Sequence, residues 1–206
     1  MTKLWGPLGW ATLHSVSASY PDNPSDSEQE LVKIWMKYFC DTIVCPSCLE
    51  HFASMLNKYT NKWWSSRREF VQFVLRAHNS VNQRTNKKIY TPLESISELK
   101  RVVPESQATD KRKVYLVYIR GDWVRNMTLQ GVTNVPKLKE LFKIEDEYWS
   151  KRSFSWDELL NFKDIQWEPI VERHTPAGEP IIPKIVPPAS FSIFKSRKVS
   201  ALQFPR

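Results

Sequence analysis

Cysteine is scarce in this chain: three in 206 residues, Cys40, Cys45 and Cys48. An odd, tightly clustered set is not the framework of a small disulfide-stapled secreted domain, which shows an even count. Long apolar runs are also missing, and none reaches the ~20 residues that cross a bilayer. The opening MTKLWGPLGWATLHSVSASYP is broken by His14 and several hydroxyls, so it lacks the continuous apolar core of a signal peptide. Nor is there a basic stripe, because the net charge of +8 is scattered along the sequence. That pattern argues against nucleic acid as a partner. Together these absences predict a soluble, intracellular protein with no membrane or nucleic-acid partner, not a secreted one. Its C-x-x-C pair is then left for redox chemistry or for a metal.

A chain of this length buries one good core with room for a small second module. Nine tryptophans and ten phenylalanines supply aromatic packing. Residues 1–103 read as helical. LWGPLGWATLHSVSASY sets Leu4, Leu8, Ala11, Leu13 and Val16 at helical spacing and ends at Pro21. Ser25 or Ser27 caps a second helix whose Leu31, Ile34, Trp35, Tyr38 and Phe39 share a face. A third, CPSCLEHFASMLNKY, carries Pro46 near its first turn, where a missing N–H does little harm. A fourth, RREFVQFVLRAHNSVNQRTNKK, follows Ser66, and a short fifth, PLESISELKRV, ends before Pro104. Short loops between them predict a mainly α fold: a four-helix bundle plus a short fifth helix. Beyond it, KVYLVYIR (113–120) reads as a strand with GDWVRNMTL as its hairpin partner, and VPKLKELFKI and SWDELLNF read as short helices. Residues 104–166 are thus expected to form a small α/β or irregular appendage. Residues 167–206 hold half of the 14 prolines and read as an extended tail.

Cys45 and Cys48 lie three apart, so on a helix they come within reach of a disulfide. With Cys45 at the helix start, free N–H groups and the positive end of the helix dipole stabilise a thiolate. Such a thiolate attacks disulfides and also leaves from them readily. Zinc competes for the same residues: Cys40, Cys45, Cys48 and His51 form C-x4-C-x2-C-x2-H, which would make a zinc-binding helical interaction module. Against it, taking Cys40 to that ion would break the end of the second helix. From the cysteines alone both readings stay open.

Residues elsewhere narrow the choice. Gly6, Trp10 and His14 form G-x3-W-x3-H on the first helix, and HNSVN sets His78 and Asn82 one turn apart, with Asn79 between them. Lys87, Lys88 and Tyr90 follow. Flat aromatic surfaces, amides and cations around one dithiol meet the needs of a large, planar, phosphate-bearing cofactor. W-x3-H, C-x-x-C, H-N-x-V-N and then a lysine and an aromatic, in this order, resemble the Erv/ALR family of FAD-dependent sulfhydryl oxidases over roughly residues 4–100.

The resemblance implies that residues 1–103 bind FAD and that Cys45 and Cys48 are the redox disulfide. Cys48 would be the charge-transfer thiolate beside the isoalloxazine and Cys45 the interchange thiol. Trp10 and His14 would line the flavin pocket, with Gly6 allowing close approach. His78, Asn79 and Asn82 would contact the adenine and ribose, Lys87 the diphosphate, and Tyr90 would close the pocket. Dithiol protein substrates would reduce the pair and oxygen would take the electrons as hydrogen peroxide. Members commonly pair through their first two helices, so a homodimer is expected.

Many members also carry a shuttle cysteine pair and a structural disulfide, and neither has a counterpart among three cysteines. The reduced pattern is more similar to the compact oxidases of large cytoplasmic DNA viruses, which implies action in a host cytoplasm or a virion. Without a shuttle pair, either dithiol protein substrates reach Cys45 directly or a separate small dithiol protein serves as shuttle, the second being the favoured expectation.

Overall fold

The computed structural model describes residues 2–43, 45–102 and 135–170. Among them the regular structure is wholly helical. α1 (Thr2–Ala18), α2 (Asp26–Asp41), α3 (Pro46–Lys58), α4 (Arg67–Arg84) and α5 (Pro92–Val102) are joined by α6 (Val135–Glu147) and two 3-10 turns, Trp149–Lys151 and Glu158–Phe162. The strand and hairpin expected over 113–129 lie outside the described residues. The chain divides after Val171, and every described residue falls in the first unit, Met1–Val171.

Local chemistry sets the helix ends. Ser25 caps α2 through a reciprocal box: its Oγ accepts the Glu28 N–H at 3.4 Å and its own N–H donates to the Glu28 carboxylate at 2.7 Å. Thr91 and Glu94 repeat the arrangement at α5. Ser66 Oγ accepts the Glu69 N–H at 3.2 Å to start α4. Pro46 occupies the first turn of α3, directly after Cys45 at the N-cap.

α1 runs antiparallel against α4, with the Arg67 Nε donating to the Tyr20 carbonyl at 2.7 Å at one end. From Thr12 to Tyr20 every residue of this stretch is buried. Its hydroxyls are therefore satisfied internally: Ser15 donates to the Ala11 carbonyl and Ser19 to the Ser15 carbonyl, both at 2.8 Å. One side of α1 meets an aromatic core that includes Trp35, Phe39, Phe52, Phe70 and Phe73. The other side, at Ala18, meets a second cluster made by Ile96, Phe154, Trp156 and Leu159.

Residues 135–170 thus belong to the packing. Leu138 and Leu141 of α6 join the aromatic core, and Trp149 meets Trp35 edge-on with centroids 5.5 Å apart. The Trp35 indole N–H donates to the Glu145 carboxylate at 3.2 Å, a bond that closes a buried polar pair. Glu28 gathers the Tyr148 hydroxyl and the Arg152 guanidinium at the rim. Replacing Trp149 by Ala should lower unfolding free energy by about 3–5 kcal/mol in urea titrations, the range for emptying a buried aromatic site. A change below about 1 kcal/mol would show that this segment does not pack on α2.

Candidate active site

Between α1 and α4, beyond their close-packed ends, lies a cavity of 760 Å³. That size is in the range that holds cofactor-sized ligands, roughly 300–1,000 Å³. α1 contributes Gly6, Trp10 and His14, α4 contributes His78 and Asn82, and α3 contributes Cys48 with Phe52 one turn on. These residues are far apart in sequence, and each sits where its own helix turns a face toward the gap.

The aromatic wall is built by direct contacts. Trp10 and His78 stack with centroids 4.2 Å apart and planes 6° from parallel. Phe52 meets Trp10 edge-on at 6.2 Å. His14 Nε2 and His78 Nδ1 lie 3.1 Å apart, so one ring donates to the other. Burial lowers the His14 pKa well below its usual value, with His78 adding to the effect. Burial first and the Lys87 charge second bring His78 down to about 4. Both rings are therefore neutral at pH 7, and the wall is flat and uncharged.

The mouth of the cavity has the opposite character. Just past the end of α4, beyond its C-cap Thr85, stands Asn86, whose φ of 58° is one that asparagine tolerates. There the Lys87 N–H returns to the Asn82 carbonyl at 2.8 Å and the Asn86 N–H to the Gln83 carbonyl at 3.2 Å, a Schellman end. The turn brings Lys87, Lys88 and Arg84 to the cavity beside Tyr90. α5 closes the far side with Ser95, Glu98 and Leu99. Neutral rings inside and cations at the mouth suit a planar, phosphate-bearing molecule. Gly6 fits the same picture: a Cβ built there meets no protein atom within 4 Å. The protein's own packing therefore has no need of a glycine at this wall.

Cys45 and Cys48 are joined by a disulfide, with Cα atoms 5.2 Å apart. Cys48 lines the cavity, whereas Cys45 is not among the lining residues and precedes exposed Pro46 and Ser47. The Ser47 hydroxyl lies 3.3 Å from the Cys45 sulfur. Cys40, the free cysteine of α2, packs against the core, and burial raises its thiol pKa to about 12. Among the described residues no group of three or more His, Cys, Asp or Glu side chains comes together to hold a metal. The zinc module of Cys40, Cys45, Cys48 and His51 is therefore not supported, since two of its four ligands are spent on each other.

Of the other residues singled out in the sequence, Gly6, Trp10, His14, His78, Asn82, Lys87 and Tyr90 all line the cavity. Asn79 does not. It is fully buried, and its amide is bonded to the main chain of Tyr90 and Trp167. Phe52 and the α5 wall went unnoticed in the sequence. A signal existed for Phe52, which stands four residues after Cys48 on the same helical face.

The chain matches the model of the Erv1/Alr family over residues 8–101. It is 32% identical over 101 residues to the probable FAD-linked sulfhydryl oxidase R368 of Acanthamoeba polyphaga mimivirus, covering 48% of this chain and 71% of that protein. It is 33% identical over 102 residues to the FAD-linked sulfhydryl oxidase of African swine fever virus, covering 50% and 82%. The mitochondrial FAD-linked sulfhydryl oxidase of Schizosaccharomyces pombe is 30% identical over 86 residues, covering 41% and 47%.

The paired histidines carry a pH dependence of defined sign. Their folded pKa values lie below the ~6.5 of an unfolded chain, so the unfolded state binds protons first as pH falls. Their contribution to stability should be complete above pH ~6.5 and lost as pH drops toward the folded value of about 4 for His78. Proton NMR titration of the cofactor-free protein should show both rings neutral at pH 6. A His78 transition near 6.5 would contradict this.

Proposed function

Because the chain belongs to the Erv1/Alr family, we propose that it is an FAD-dependent thiol oxidase that makes disulfides in protein substrates. The observation that carries this reading is where the disulfide lies: one sulfur belongs to the cavity wall and the other does not. Such a pair relays electrons from a surface partner to a buried acceptor. Trp10, His14 and His78 would hold the flavin ring system, with Gly6 leaving room against α1. Asn82 would bond the polar part of the nucleotide, and Lys87, with Lys88 and Arg84 beside it, would face the phosphates.

The chain's own chemistry is thiol–disulfide exchange. A substrate thiolate attacks the Cys45 sulfur, the Cys45–Cys48 bond breaks, and Cys48 leaves as a thiolate. The substrate's second thiolate then attacks the substrate sulfur of the mixed disulfide, releasing a substrate disulfide and the Cys45 thiolate. Two electrons now reside on the cysteine pair. Cys45 at the N-cap of α3 is stabilised as a thiolate by the helix dipole and by the Ser47 hydroxyl. Held by the cavity residues, FAD would supply the two-electron acceptor that the dithiol requires, with oxygen as the final acceptor and hydrogen peroxide as product. The neutral His14–His78 pair keeps fixed positive charge off the inner wall, and Cys48 packs against the aromatic core.

Dithiol proteins are the substrates, with a separate small dithiol protein as the shuttle to Cys45. A homodimer would have to form around segments that already cover α1 and α2, since Trp156 and Leu159 pack at Ala18 and α6 packs on α2. Among the described residues no helix is long and apolar enough to cross a membrane.

The purified chain should be yellow and should release peroxide when given a small dithiol. Cys45→Ser and Cys48→Ser should each reduce peroxide release to the background rate, while Cys48→Ser still binds the flavin. A colourless protein that takes up no added FAD would overturn the reading, as would full activity in either variant.

A further inference from the structure

α4 has two working faces. His78 and Asn82 look into the cavity, while Gln72, Arg76, Asn79 and Ser80 form a stripe on the other side. Residues 166–170 run along that stripe and are bonded to it repeatedly. The Gln166 N–H donates to the Gln72 side-chain oxygen at 2.9 Å. Arg76 donates from Nη1 to the Gln166 side chain and from Nε to the Glu168 carbonyl, both at 2.9 Å. The Ile170 N–H donates to the Ser80 hydroxyl at 2.8 Å. At the centre of this strap, Asn79 Nδ2 donates to the Trp167 carbonyl at 2.7 Å.

Asn79 also reaches the cavity's mouth. The same Nδ2 donates to the Tyr90 carbonyl at 2.8 Å, and Asn79 Oδ1 accepts the Tyr90 N–H at 3.0 Å. Its side chain thus spends both N–H groups and one acceptor on two main-chain segments 77 residues apart, 90 and 167. A fully buried amide tolerates no unpaired donor, so the strap and the mouth are held to a common geometry. Between Asn86 and Thr91 the mouth has no helix of its own, yet it carries Lys87, Lys88 and Tyr90 to the cavity.

The geometry points to a positioning role: residues 166–170 act through Asn79 as a brace that fixes the Lys87–Tyr90 mouth for the cofactor. The segment beyond the family match, which ends at residue 101, thereby sets how tightly the cavity holds its nucleotide. This rests on the flavoenzyme reading only for the identity of the ligand. Asn79 is then a positioning residue, acting on the cofactor through Tyr90 rather than by touching it.

The test uses the full chain and two readouts. Arg76→Ala and Gln166→Ala loosen the strap without altering a cavity-lining side chain. Each should raise the Kd for FAD, followed by flavin fluorescence, by about tenfold, the scale of one lost hydrogen bond in ordering the mouth. Each should also speed hydrogen exchange at the Tyr90 amide of the FAD-free protein. Glu145→Gln, which weakens the bond to Trp35 at the other end of the same segment, should lower the melting temperature and leave both readouts unchanged. Strap variants that bind FAD like the wild type, with Tyr90 exchange unaltered, overturn the inference. So does FAD affinity that tracks melting temperature across all three variants. If the wild type takes up no FAD, the flavoenzyme reading fails, and Tyr90 exchange alone still decides whether the brace exists.

Discussion

The facing of α1 and α4 governs the molecule. At one end Tyr20, just past α1, meets Phe70 of α4 edge-on and accepts from Arg67 Nε, and further along the two helices are bridged by the Trp10–His78 stack and the His14–His78 bond. A bundle of this size ordinarily fills its centre with side chains, because interiors pack as densely as organic crystals. Here aromatic rings from three helices meet one another at defined angles and leave a space beside them. The rings form one wall of that space, and the imidazoles are neutral because burial in that wall disfavours their charged form. Everything assigned to the site follows from having a flat, uncharged surface within reach of one sulfur of a disulfide.

Much of this was legible in the sequence where the controlling chemistry is local. Ser25, Ser66 and Pro46 announce helix starts because capping depends on residues within one turn. The C-x-x-C pair likewise depends only on helical spacing. The G-x3-W-x3-H and H-N-x-V-N patterns gave away cavity-facing residues because each lies at the repeat of a helix face.

What escaped is long-range or disguised. Ser15, Ser17 and Ser19 read as polar, yet α1 is buried on two sides because their hydroxyls bond back to its own carbonyls. No periodicity discloses that. Asn79 stands between two cavity residues and so reads as a ligand contact. Its actual partners, Tyr90 and Trp167, are main-chain groups, which leave no signature in residue type. α5 reads only as a short fifth helix, and nothing local says that Glu98 and Leu99 close a cavity.

The most direct measurement of the central claim is a crystal structure of the chain loaded with FAD. The account predicts density for the isoalloxazine between the Trp10–His78 wall and Cys48, with the phosphates toward Lys87 and Lys88 and Cys45 turned to the surface. A cavity closed by its own side chains, with FAD bound elsewhere or Cys45 rather than Cys48 against the ring, would contradict it.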